Sequence, residues 1–80
     1  MPAMTDPKFK LYGCQNRGDI KIELFGCDDI EIAQNIATLV AGHRAAKLWS
    51  PNKKPYDYFV LNGPDSNTIK VYNSKYPEGI

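Results

Sequence analysis

The sequence predicts an α+β fold in the order β-β-α-β-β, with one helix packed on one face of a four-stranded, mainly antiparallel sheet. Three observations carry the prediction. Two alternating runs, Lys8 to Cys14 and Asp19 to Phe25, flank a short Gly-containing loop. The apolar period then changes from two to helical after an acidic pair, and two further β-rich runs flank a dense turn. Eighty residues make one domain, 1–80. At that size folding buries only about 60–65% of the unfolded chain's surface, so two layers around one thin core are the limit.

Residues 1–7 hold two prolines and no pattern and are expected to be a loose tail. In the first run Phe9 and Leu11 alternate with Lys10 and Tyr12. After Gln15-Asn16-Arg17-Gly18, Ile20, Ile22 and Leu24 alternate with Lys21, Glu23 and Phe25, which reads as a hairpin. Asp28-Asp29-Ile30-Glu31 places an acidic cap three residues before Glu, a capping-box start. Ile32, Ala33, Ile36, Leu39 and Val40 then recur at helical spacing, opposite Glu31, Gln34, Asn35 and Thr38. Pro51 and Pro55 bracket a polar connection; Tyr56 to Asn62 reads as an inner strand, and Asn62 to Asn67 as a turn. Thr68 to Asn73 alternates Ile69 and Val71 against Lys70 and Tyr72, and residues 74–80 are expected to fray.

Hydrophobic content of 42% argues against disorder, and a net charge of +1 is far from the excess of a chain living on phosphate contacts. No apolar run is long enough for a membrane span and no signal-peptide core precedes the first charges, so a cytoplasmic location is expected. Hairpin geometry places Cys14 at the turn and Cys27 past the open end, roughly 20–25 Å apart at about 3.3 Å per residue. Two free thiols are therefore expected.

With Phe9, Leu11, Ile20, Ile22, Leu24, Ile69 and Val71 under the helix, the other face would carry Lys10, Tyr12, Lys21, Glu23, Phe25, Lys70 and Tyr72. Tyr56 and Tyr58, or else Phe59, join it according to register. Aromatics between lysines suit stacking on single-stranded bases and equally suit a protein interface. A plain solvated sheet face has the same composition.

Chemistry is harder to find. Cys14, Cys27 and His43 lack zinc-ligand spacing and a fourth ligand, so no metal or cofactor is expected. The carboxylates at the helix start are explained by capping, and no nucleophile has an orienting base, so no enzyme activity is expected. Arg17-Gly18-Asp19 spells an integrin-recognition tripeptide but reads as turn chemistry. In GHRAAKLWSP, residues 42–51, His43 projects with Ile32 and Ile36 and is expected to pack into the core. Arg44 and Lys47 suit a helix C-terminus. Trp49 turns inward if the helix restarts near Gly42; if the helix runs through, it stands exposed beside Lys53 and Lys54. Core packing is the expected outcome, since a small domain needs its largest side chain.

The order Trp49-Ser50-Pro51-Asn52, then Tyr58-Phe59-Val60-Leu61-Asn62-Gly63, then Ser66-Asn67 and the Ile69/Val71 strand resembles a small phage-encoded type I-F anti-CRISPR protein. The likeness covers Lys47 to Val71, about a third of the chain. It implies a non-enzymatic phage or mobile-element protein that occludes a host protein, with a subunit of a CRISPR surveillance complex as target. The residues expected to meet a partner are Lys10, Tyr12, Lys21, Phe25, Tyr58, Lys70 and Tyr72 on the sheet, with Trp49, Lys53 and Lys54 at the helix end. The alternative is a single-stranded nucleic-acid-binding module using the same sheet face.

Overall fold

Alternation in the first part of the chain becomes a hairpin of β1, Phe9–Gln15, and β2, Ile20–Cys27. The computed structural model describes residues 7–77. A three-residue 3-10 turn, Asn16–Gly18, joins the strands, with Asn16, Arg17 and Gly18 all at positive φ. One helix follows, α1, Ile30–Ala41, then a 3-10 segment, Arg44–Trp49. The last strands are β3, Tyr58–Asn62, and β4, Thr68–Asn73. The sheet is antiparallel throughout in the order β2-β1-β3-β4. The predicted architecture is the observed one. The terminal expectations at 1–6 and 78–80 lie outside the described residues. Ser74 and Lys75 donate backbone bonds to Asp57 and Ala41, which ties the chain after β4 back to the fold.

The helix starts at the acidic pair, but one residue later than the capping box implied: Asp29, not Asp28, is the cap, so Glu31 is the second helical residue and not the third. The Asp29 carboxylate accepts from the N–H groups of Glu31 at 2.8 Å and Ile32 at 3.3 Å. Asp28 instead accepts from the Lys8 N–H, closing the end of the hairpin. At the other end Gly42 caps α1, and the chain re-enters a tighter 3-10 path at Arg44.

Ala33, Ala37 and Ala41 are buried on α1, so the helix lies close to a sheet whose Leu11, Phe59 and Leu61 are almost fully covered. Tyr56, just before β3, completes the core, its ring 5.2 Å from that of Phe59. Small residues on the helix and large ones on the sheet fill the space between two layers.

Two register changes overturn part of the expected face assignment. In the β1–β2 pair Leu11 faces Phe25 while Tyr12 faces Glu23, so Leu24 is an extra, bulged residue. A bulge resets period-two parity. Phe25, expected on the open face, therefore shares the helix side with Leu11 and packs against the core. In the β3–β4 pair Leu61 faces Lys70 and Asn62 faces Thr68, leaving Ile69 as the extra residue. Beyond it Tyr72 pairs with the core residue Phe59 and is buried, with Lys70 over its ring at 5.0 Å. Val71 pairs with Val60 on the open side and is 51% exposed. Lys70 and Tyr72 thus belong under the helix layer, and Ile69 and Val71 do not. A large aromatic fills the end of the core better than two smaller aliphatics do.

Candidate protein-binding face

On the open side of the sheet, the pairing places Lys10, Tyr12 and Cys14 of β1 beside Tyr58, Val60 and Asn62 of β3 and Lys21 and Glu23 of β2. Lys10 lies 3.6 Å from the Glu23 carboxylate, and the Lys21 ammonium sits 4.5 Å over the Tyr12 ring. Of the seven sheet residues expected to form one partner surface, four are on this face: Lys10, Tyr12, Lys21 and Tyr58. Their cations are already engaged, one by a carboxylate and one by the aromatic expected to stack on a ligand. Phe25, Lys70 and Tyr72 are on the other side.

The larger apolar exposure lies at the helix. Ile32 is 50%, Leu39 70% and Trp49 51% exposed. Between α1 and the free edge of β2 runs an open groove of 370 Å³, lined by Glu23, Leu24, Phe25, Ile36, Val40 and Trp49. The bulge at Leu24 helps build it, because it brings two consecutive apolar side chains of an edge strand toward the helix side. Ile32 and Leu39 lie one turn to either side of Ile36 on α1, outside the groove's lining.

Trp49 forms the end of the groove, through a combination of the two expected outcomes. The helix does stop at Gly42 and restart, yet the indole stays half exposed. His43 is exposed as well, contrary to its expected core position. Its Nδ1 accepts from the Ala45 N–H and starts the 3-10 segment, and its ring lies 6.1 Å from that of Trp49. The broken helix axis carries His43 off the α1 wheel, which is why the periodicity argument misplaced it.

A buried polar knot fixes the chain that follows Trp49. Gln15, at the end of β1, and Ser50 are both buried. The Gln15 Nε2 donates toward Ser50 Oγ at 3.0 Å, Asn52 Oδ1 at 3.2 Å and the Lys54 carbonyl at 2.9 Å. Its Oε1 accepts from Asn52 Nδ2 at 3.0 Å. Ser50 Oγ also donates to Asn52 Oδ1, which accepts in addition from the Lys54 N–H at 3.0 Å. Lys53 stands at positive φ in this loop and donates its ammonium to the Leu48 carbonyl at 3.0 Å. Lys53 and Lys54 are both exposed on this anchored loop, Lys53 reaching the carbonyl next to Trp49 and Lys54 lying by Gln15 and Asn52, away from the groove's lining. Polar groups that bury only when mutually satisfied give a fixed loop rather than a mobile one.

Cys14 and Cys27 are both free, at opposite ends of the hairpin register. Burial pushes the Cys14 thiol up from its ordinary 9.0, and burial likewise pushes the Tyr56 and Tyr72 phenols above 10.0. The Tyr56 and Tyr72 hydroxyls have no hydrogen-bond partner among the described residues. All three groups ionise more readily in the unfolded chain. Their contribution is complete below pH 9 and is lost as pH rises through the elevated folded-state values. The urea midpoint is therefore expected to stay level up to about pH 9 and fall steadily above it. A midpoint that rises between those conditions would contradict the assignment.

No family model matches the chain, and neither a curated protein nor a solved structure matches it. No helix among the described residues is long and apolar enough to cross a membrane. The class defined by the fold and surface is a small α+β domain with an apolar groove between its helix and a sheet edge.

Proposed function

We propose that the protein acts by binding another protein and occluding part of its surface, without chemistry of its own. The supporting observation is Trp49, half exposed at the end of an apolar groove and held there by the Gln15–Ser50–Asn52 knot. A rigid, partly exposed tryptophan beside aliphatic walls has the character of an interface anchor, and preorganisation reduces what binding must spend on ordering. Lys53, anchored on the Leu48 carbonyl, supplies a cation near Trp49. The partner is a host protein met in the cytoplasm by a phage or mobile-element product. The likeness to type I-F anti-CRISPR proteins makes a CRISPR surveillance complex subunit the first partner to try.

Base stacking is the weaker reading, because Tyr72 is buried, Phe25 faces the helix and Lys21 already covers Tyr12. In titrations against the surveillance complex, Trp49→Ala is expected to weaken binding about 30-fold or more, as loss of a hot spot of about 2 kcal/mol does. Lys10→Ala and Lys21→Ala should change it little. Unchanged affinity in Trp49→Ala would remove this face from consideration. Tight binding of labelled single strands, with a steep salt slope that Lys10→Ala and Lys21→Ala reduce, would favour the nucleic-acid reading instead.

A further inference from the structure

We infer that the free protein covers this face with a second copy of itself, α1 lying antiparallel on α1 across a two-fold axis. Ile32, Ile36 and Leu39 are spaced four and three residues apart within α1, the spacing of a helix–helix seam. Ile32 and Leu39 are the exposed members within the helix, and neither is needed by the core.

The rest of the helix is equally suited to being covered. In a chain that is 24% charged, the twelve residues of α1 carry a single charge, Glu31, and the solvent side otherwise reads Gln34, Asn35 and Thr38. A helix permanently in water ordinarily presents charges on its free side. A neutral strip meets its own copy with no like-charge penalty, as a two-fold contact requires.

Charge at the two ends selects the antiparallel arrangement. Asp28, Asp29 and Glu31 stand at the start of α1, and Arg44 and Lys47 follow its end. Antiparallel pairing sets Ile32 against Leu39 of the other copy and Ile36 near its own counterpart. It also brings each acidic end to the other copy's basic end, twice by symmetry. A parallel pair would place acid on acid.

A contact made by one twelve-residue helix from each copy falls at the low end of interface sizes, under about 1,200 Å² in total, so the pair is reversible. This pairing rests on the binding face proposed above, and a host protein engaging that face competes with the second copy.

Sedimentation equilibrium of the full chain, from about 1 µM to about 1 mM, tests the pairing with no host protein present. The mass is expected to rise from one copy to two across that range. Ile32→Glu and Leu39→Lys should each weaken association at least tenfold while circular dichroism and the urea midpoint stay unchanged. Mixing the two variants should restore a dimer, because each Glu then faces a Lys and each native Leu39 an Ile32. A single mass throughout, a dimer indifferent to both substitutions, or no recovery on mixing would each overturn the inference. Host binding is read separately, through Trp49→Ala, so either idea can fail alone.

Discussion

Gly13→Ala is expected to cost about 2–3 kcal/mol of stability, although alanine is the smallest addition a glycine can receive. Gly13 has no need of a glycine backbone, since it sits in β1 and is not among the residues at positive φ. What it supplies is room. A Cβ there would lie 2.8 Å from Cζ of Tyr56 and closer still to Cδ1 and Cε1. The ring cannot swing aside cheaply, because it is 1% exposed and bounded by Phe59. Overpacking of that kind in a domain this small is expected to lower the melting temperature by about 10–20 °C. Tyr56→Leu in the same chain should recover part of the loss, making the double variant clearly non-additive. A Gly13→Ala midpoint matching the parent would show that the ring is free to move.

Gln15→Leu should have a comparable effect, on the order of 3 kcal/mol, by a different route. Leucine fits the volume of glutamine but donates nothing. Ser50 Oγ, Asn52 and the Lys54 carbonyl then lose the side chain that joins them from β1. Buried acceptors left without donors cost about 1–3 kcal/mol each, reduced here to whatever water cannot repair once the loop lifts. The loop begins at the residue after Trp49, the chain's one tryptophan, so native-state indole emission should shift with stability. Denaturation followed by tryptophan fluorescence reads both effects. A stable variant with unchanged emission would mean that the loop is held by other contacts.

Elements were legible where local chemistry decided them. Alternation located both hairpin strands, the acidic pair and Glu31 marked the start of the helix to within one residue, with Asp29 rather than Asp28 as the cap, and Asn62 to Asn67 marked the last turn. Faces were legible only where alternation ran unbroken. Leu24 and Ile69 each add one residue to a strand, and every side chain beyond changes sides without any change in composition. Period two says which residues travel together, not which set goes inward, so Tyr72 and Val71 exchanged places. The helix misled for another reason. Ile32 and Leu39 looked like core because they are apolar at helical spacing, but a thin core has room for only part of so wide an apolar face. Ala33, Ala37 and Ala41, four apart, were the better guide to the buried stripe, since small residues permit the closest approach to the sheet. The groove ending at Trp49 follows from all three deviations together: the bulged edge, the surplus apolar helix face and the broken helix axis.

Both irregular strands, β2 and β4, are the outer ones, and this bears on how the protein behaves when crowded. An outermost strand with a regular, flat row of unpaired amides is a template on which other chains add without limit. A single misplaced residue spoils the repeat and twists the row away from a straight neighbour. The same bulges that turned Phe25 and Tyr72 inward therefore make fibril growth along the sheet unfavourable. Contacts between copies are left to the helix side, where a two-fold pair closes on itself and stops at two.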